Sequence, residues 1–154
     1  MNPSARAYEI IKDFEHFEPK PYLCPAHVWT IGWGHTQGVT KDTPPVTQDE
    51  AQRLLEWDVA WVLDVIRRHV TMPLTQGQLD ALTSFVFNVG PGVPGEKDGF
   101  VWLKNGNHST LLRKINAGDF DGAVNEFDKW VRSRGQVLMG LVKRRLIEKS
   151  VFKS

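Results

Sequence analysis

The stretch Glu15-His16-Phe17-Glu18-Pro19-Lys20-Pro21-Tyr22-Leu23-Cys24-Pro25-Ala26-His27-Val28-Trp29-Thr30-Ile31-Gly32-Trp33-Gly34-His35 changes character partway along. Up to Phe17 the apolar residues Tyr8, Ile11, Phe14 and Phe17 recur every third position, which places them on one face of a helix that Ser4 can cap. Pro19 and Pro21 are expected to stop that helix. From Tyr22 to Gly34, the β-branched and aromatic residues Val28, Trp29, Thr30, Ile31 and Trp33 stand among Pro25, Gly32 and Gly34. This is the composition of a short hairpin or small sheet.

Downstream the chain reads as helix after helix. Thr47-Gln48-Asp49-Glu50 is a capping box, opening a helix expected to run to His69 with Leu54, Leu55, Val59, Val62, Leu63 and Ile66 as its apolar stripe. A second box, Thr75-Gln76-Gly77-Gln78, opens a helix closed by Gly90 and Pro91. The Gly- and Pro-rich connection from Gly90 to Asn107 is too long for an idle turn and suggests a surface loop with a binding role. Helices are then expected over Ser109 to Ala117, Phe120 to Val131 and Val137 to Phe152. The predicted class is α+β, mainly helical.

Composition narrows the function. One domain is the default for 154 residues, 41% hydrophobic and 24% charged. No window is apolar enough to span a membrane, and the first residues lack the apolar core of a signal peptide, so synthesis in the cytoplasm is expected. The single cysteine, Cys24, excludes an internal disulfide and a multi-cysteine zinc site. From Lys129 to Ser154, eight Lys or Arg residues face Glu148 alone, giving about +7 against about −6 in the remainder. Such a surface suits nucleic acid, an anionic membrane or an anionic cell wall, and charge alone does not choose among them.

The chemistry-bearing pattern is Glu15, eight residues, Cys24, five residues, Thr30. Glycosidic cleavage needs a protonated carboxyl to meet the leaving oxygen, held in an apolar or charge-balanced pocket. Glu15 lies between Phe14 and Phe17 where a helix meets a sheet. Taken alone, a Glu at a helix end is ordinarily an exposed acid.

The segment Glu15 to Thr36 resembles the active-site motif of the phage lysozymes, the muramidase endolysins of glycoside hydrolase family 24. The likeness extends through Gln78-Leu79-Asp80-Ala81-Leu82 with Ser84 to Gly90, through Ser109 to Phe120, and through Phe127, Trp130 and Gly140 to Arg145. The resemblance implies a lysozyme-like fold in one domain over residues 1–154. A small β-lobe would span about 18–46, a bridging helix about 47–69, and a helical lobe about 70–154 plus the N-terminal helix, with the cleft between the lobes. It implies hydrolysis of the bond between N-acetylmuramic acid and N-acetylglucosamine in peptidoglycan, with no cofactor and no nucleic-acid partner, by a monomer reaching the wall through a separate membrane pore. Glu15 would be the general acid, Cys24 would stand beside the attacking water, and Thr30 would help hold that water.

The family's commonest residue at the position of Cys24 is Asp. A thiol is mostly neutral at pH 7, its reference pKa being about 8.5, so Cys24 either works as a thiolate aided by Lys20 or His27, or orients water through S–H. That choice keeps a lytic transglycosylase open as an alternative, since it needs only the acid. His35 and Asp58 are expected to form a structural pair with His35 charged. Arg144 and Arg145 are candidates either to moderate Glu15 or to bind substrate, and Trp102, in the long loop, is the tryptophan expected to meet sugar. Two remoter readings stand beside these. His16, Cys24, His27 and His35 could be ligands of a zinc amidase, and the basic C-terminal helix could serve a non-catalytic wall-binding or DNA-binding module, or attract the enzyme to an anionic envelope.

Overall fold

The computed structural model describes residues Met1 to Ser154. Six helices and two small sheets follow in the order α1 (Ala5–Glu15), β1 (Glu18–Leu23), β2 (Trp29–Gly32), α2 (Gln48–His69), α3 (Gln76–Val89), α4 (Thr110–Asn116), α5 (Phe120–Glu126), β3 (Arg132–Ser133), β4 (Gln136–Val137) and α6 (Met139–Phe152). β1 pairs antiparallel with β2, and β3 with β4. The class is α+β with helix dominant.

The helix starts follow their caps. Thr47 and Thr75 each accept from the amide three residues on, while Glu50 and Gln78 reach back to the cap amide, so both boxes are complete. Ser4 caps α1, and its own amide donates to Asp80 Oδ1 at 2.8 Å, fastening the start of α1 to α3. α3 lies at the centre of the fold. Every residue from Gln78 to Val86 is buried, as expected of a helix surrounded on all sides.

Two elements differ from the sequence reading. α1 ends at His16, which takes a left-handed φ of 56°, and Pro19 and Pro21 lie within β1. Pairing of β1 with β2 is irregular between Glu18 and Tyr22, so the ladder does not call on the amides the prolines lack. The expected helix from Phe120 to Val131 stops at Glu126, passes through a 3-10 turn over Phe127–Lys129, and gives way to the β3–β4 hairpin. Arg134 and Gly135 at its tip both have positive φ, the requirement of the tight hairpin turn whose twist matches its strands.

The long loop is built rather than slack. A Cβ on Gly99 would lie 2.0 Å from the Gly92 amide nitrogen, so the two backbones cross at a distance only glycine allows. Phe100 and Val101 plug it into the core, and Ser109 Oγ donates to the Phe100 carbonyl.

The first hairpin has almost no core of its own and leans on α2. Gly32 packs on Ala51, and His35 Nδ1 meets Asp58 Oδ2 at 2.8 Å with His35 almost fully buried. The hydrogen bond to Asp58 holds the imidazole above its ordinary value, although burial pulls the other way. A histidine raised on folding stabilises fully below its unfolded value, near 6.5, and its contribution fades as pH climbs through the folded value. Asp58→Asn should therefore cost about 1–3 kcal/mol at pH 5.5 and clearly less at pH 9. Urea melts of both proteins at the two pH values check this; an equal loss at both would show that the pair's charge contributes nothing.

Candidate active site

A cleft of about 1120 Å³ runs between the first hairpin and the helices. Glu15, Cys24 and Thr30, named from sequence spacing, all line it. Glu15 stands at the last turn of α1, and the abrupt left-handed turn at His16 directs the chain into β1 immediately behind it. Its side chain is 19% exposed. Gly34 closes over the carboxylate, since a Cβ there would lie 2.8 Å from Glu15 Oε1, and its φ of 77° also suits glycine.

Behind Glu15 lies a buried ionic network. Arg144 Nη1 donates to Glu15 Oε2 at 2.6 Å, Nη2 donates to the Ser84 carbonyl at 3.2 Å, and Nε faces Glu148 Oε2 at 3.3 Å. Ser84 Oγ donates to the same Glu148 oxygen at 2.6 Å. Arg145 Nη2 donates to Asn88 Oδ1 at 2.9 Å and Nη1 to the Trp130 carbonyl at 3.1 Å. Its Nε is 2.6 Å from Glu148 Oε1, an ion pair not aligned as a hydrogen bond. Burial pulls the Arg145 guanidinium down from its ordinary value, with Glu148 opposing, and it stays a cation. Glu148 itself is fully buried. Two guanidinium groups thus balance two carboxylates, and Phe14 and Phe85 cover the arginine planes.

This geometry revises the substrate-binding reading of the arginines. Both are almost fully buried with their donors turned to protein acceptors, Arg144 holding Glu15 and Arg145 holding Asn88 and the Trp130 carbonyl, and of the two Arg145 lines the cleft. Trp102 is also displaced from its expected place. It packs against the core and stacks on His108 with ring centroids 4.4 Å apart, outside the cleft lining. The cleft tryptophans are Trp130 and Trp61, and Trp61 is half exposed on α2.

On the opposite wall, the β1–β2 turn carries Cys24. Its amide donates to the Val28 carbonyl at 3.1 Å, and its carbonyl accepts from His27 at 2.8 Å. Thr30 Oγ1 also donates to the Val28 carbonyl, at 2.9 Å, which leaves its lone pairs to accept from a water in the cleft. Tyr22, opposite Thr30 in the sheet, was not singled out from sequence. Burial, then the charges of Glu15 and Cys24, push its phenol up to about 12, so it is a neutral donor at working pH. The four possible zinc ligands do not converge. The His27 ring meets Arg134 Nη1 at 2.6 Å, His35 meets Asp58, and no group of three or more metal-binding side chains forms.

Comparison with known proteins agrees with this geometry. The phage lysozyme family model matches residues 12–148. The chain is 37% identical, over its full length and 99% of the relative's, to an endolysin of Acyrthosiphon pisum secondary endosymbiont phage 1. It is 38% identical over 99% of its length to an endolysin of Bacillus phage B103, of which it spans about half, 54%. Among solved structures it resembles the muramidase domain of SpmX from Asticaccaulis excentricus, with a TM-score of 0.77 and 33% identity over 98% of this chain and 97% of that one. A match across nearly the whole chain, with a carboxyl, a thiol and a hydroxyl facing one cleft, places this protein in the phage lysozyme family, the glycoside hydrolases of peptidoglycan.

Proposed function

We propose that Glu15 protonates the glycosidic oxygen between N-acetylmuramic acid and N-acetylglucosamine while a water held by Cys24 and Thr30 attacks the sugar carbon from the other face. The observation that supports this most is Glu15 itself, a carboxylate in the cleft with one oxygen tied to a buried arginine and the other beside Gly34. A glycan lying over the carboxyl excludes water from the reacting atoms. As the bond breaks, the charge left on Glu15 faces Arg144, already in place. Thr30 accepts one water proton as a hydrogen bond, and Cys24, reacting as its thiolate, takes the other and becomes the thiol as the new carbon–oxygen bond forms. The β-lobe of about 18–46 and the helical remainder are the two jaws of this arrangement.

The protein acts as a monomer on the cell wall in this proposal, after release through a separate pore. No helix is long and apolar enough to cross a membrane. Within the basic C-terminal helix Arg144 and Arg145 are buried, so any envelope attraction there falls to exposed cations such as Lys143 and Lys153. Among the cations lining the cleft, Lys129 and Arg145 are paired with Glu126 and Glu148, whereas Lys97 and Lys104 of the long loop and Arg132 and Arg134 of the β3–β4 hairpin have no carboxylate within ion-pair distance. Acidic stem peptides on the glycan complement that edge.

Two experiments test this mechanism and a third tests the network behind it. Mass spectrometry of purified peptidoglycan should show hydrated reducing-end muramic acid products with wild type, and at least a thousandfold fewer with Glu15→Gln, roughly the range general acids supply. Ends carrying 1,6-anhydro sugars would make it a transglycosylase, and freed peptides would overturn the glycosidase reading. Cys24→Ala should lower kcat by roughly a hundredfold or more, while Cys24→Asp restores most of it, because both thiolate and carboxylate take a proton; an active Cys24→Ala would remove Cys24 from the reaction. Arg144→Met should cost about 3–5 kcal/mol in chemical denaturation, since it leaves the fully buried Glu148 facing one cation fewer.

A further inference from the structure

α2 presents two large indoles to solvent for which the fold has no use. Trp57 is 54% exposed and Trp61 51%, one helical turn apart and so on one face. The helix's packing is done by Leu55, Val59, Val62, Leu63, Val65 and Ile66, all buried. Trp33, Trp102 and Trp130 pack against the core clusters, whereas Trp57 and Trp61 pack against neither. An exposed indole gains little from folding, so two on one helix face suggest a surface kept for a ligand.

The location names the ligand. Trp61 lines the same cleft as Glu15. Phe87, packed against the Ile11, Leu55 and Val59 cluster, lines that cleft beside α2 and continues the apolar surface from α2 to α3. At about 1120 Å³ the cleft exceeds the roughly 300–1,000 Å³ of an ordinary small-molecule site, so it has room for sugars beyond the pair that reacts. A pyranose ring offers a flat face of C–H groups ringed by hydroxyls, and an indole offers a rigid apolar plane with one N–H donor at its edge. Trp57 lies outside the cleft lining and meets His35 edge-on with ring centroids 6.3 Å apart, which leaves Trp61 as the α2 indole facing the cleft.

We propose that Trp61 is a stacking platform for a pyranose of the peptidoglycan glycan strand, at a subsite away from the scissile bond. It grips strand length rather than assisting bond cleavage. The inference rests on the muramidase reading of this cleft and adds a ligand contact to it. Cations at the loop edge meet the stem peptides, and the neutral sugar backbone meets α2.

Peptide-free glycan strands, prepared by amidase digestion of peptidoglycan, are the probe. In a Glu15→Gln background, which leaves them uncut, adding Trp61→Ala should weaken binding about tenfold, the scale of one well-placed aromatic contact, whereas Trp61→Phe should keep it within about threefold. In the otherwise native enzyme, Trp61→Ala should raise KM on long strands about tenfold with kcat within about twofold, since uniform binding is what it removes. Fluorine NMR of 5-fluorotryptophan-labelled protein should show the resonance missing from Trp61→Phe shifting on addition of strands. Equal affinity with and without the indole, a resonance that does not move, or a loss confined to kcat overturns the platform. Stem peptide as the true occupant would appear as an effect of Trp61→Ala on peptide-bearing strands only, and that too overturns it. The two readings fail separately: a wild type that releases no glycan fragments sinks the muramidase reading, whereas a wild type that cleaves glycan and is indifferent to Trp61 sinks the platform alone.

Discussion

Everything around the active site depends on one buried carboxylate, Glu148. It has no exposure to water, and it holds Arg144 and Arg145 from the next turn back of α6. An isolated charge in that position would be very costly to desolvate. The network is tolerable because two cations meet two anions, with Ser84 and Asn88 of α3 filling hydrogen-bonding positions around them. Hydrophobic residues of similar volume would hold α6 to α3 at least as well. The ionic version persists because its outermost member, Glu15, must reach the cleft.

The network therefore joins the ends of the chain to one carboxylate of the cleft. Glu15 belongs to α1, Ser84 to α3, and Arg144 and Glu148 to α6, so the acid is positioned by elements that only the complete fold assembles. The fastening of Ser4 to Asp80 serves the same end. It fixes the start of α1 to the helix that also carries Ser84, leaving α1 little freedom to slide and carry Glu15 out of register. Gly34 completes the enclosure from the sheet side, where a side chain would occupy the space of the carboxylate.

What could be read in advance followed from local rules. The capping boxes at Thr47 and Thr75, the helical stripe of α2 and the Glu15, Cys24, Thr30 spacing each depend on neighbours within a few turns of chain. Burial from across the fold could not be read so. Arg144 and Arg145 look like a basic solvated face until Glu148 and Asn88 are seen beside them. Trp102 lies in a loop that looks exposed, but Gly92 and Gly99 cross so closely that the loop folds back and stacks it on His108. Conversely, Trp61 sits within a helical pattern that suggests a core rim, and only the assembled helices show that half of it stays open to solvent in the cleft. The β3–β4 hairpin did have a local signal in Arg134-Gly135, masked by the helical continuation expected from Phe120.

The two walls of the cleft differ in how firmly they are built, and the chemistry divides along that difference. The helical wall carries the acid and the ionic network on the main core. The hairpin wall, carrying Cys24 and Thr30, buries little beyond Thr30, Ile31 and His35 and is moored by the His35–Asp58 pair, the Gly32–Ala51 contact and the Val46 amide on the Pro19 carbonyl. Few buried contacts mean a low free energy of local opening. In the proposed mechanism the acid therefore stands on the firmer wall, and the groups proposed to hold the water stand on the wall with fewer buried contacts.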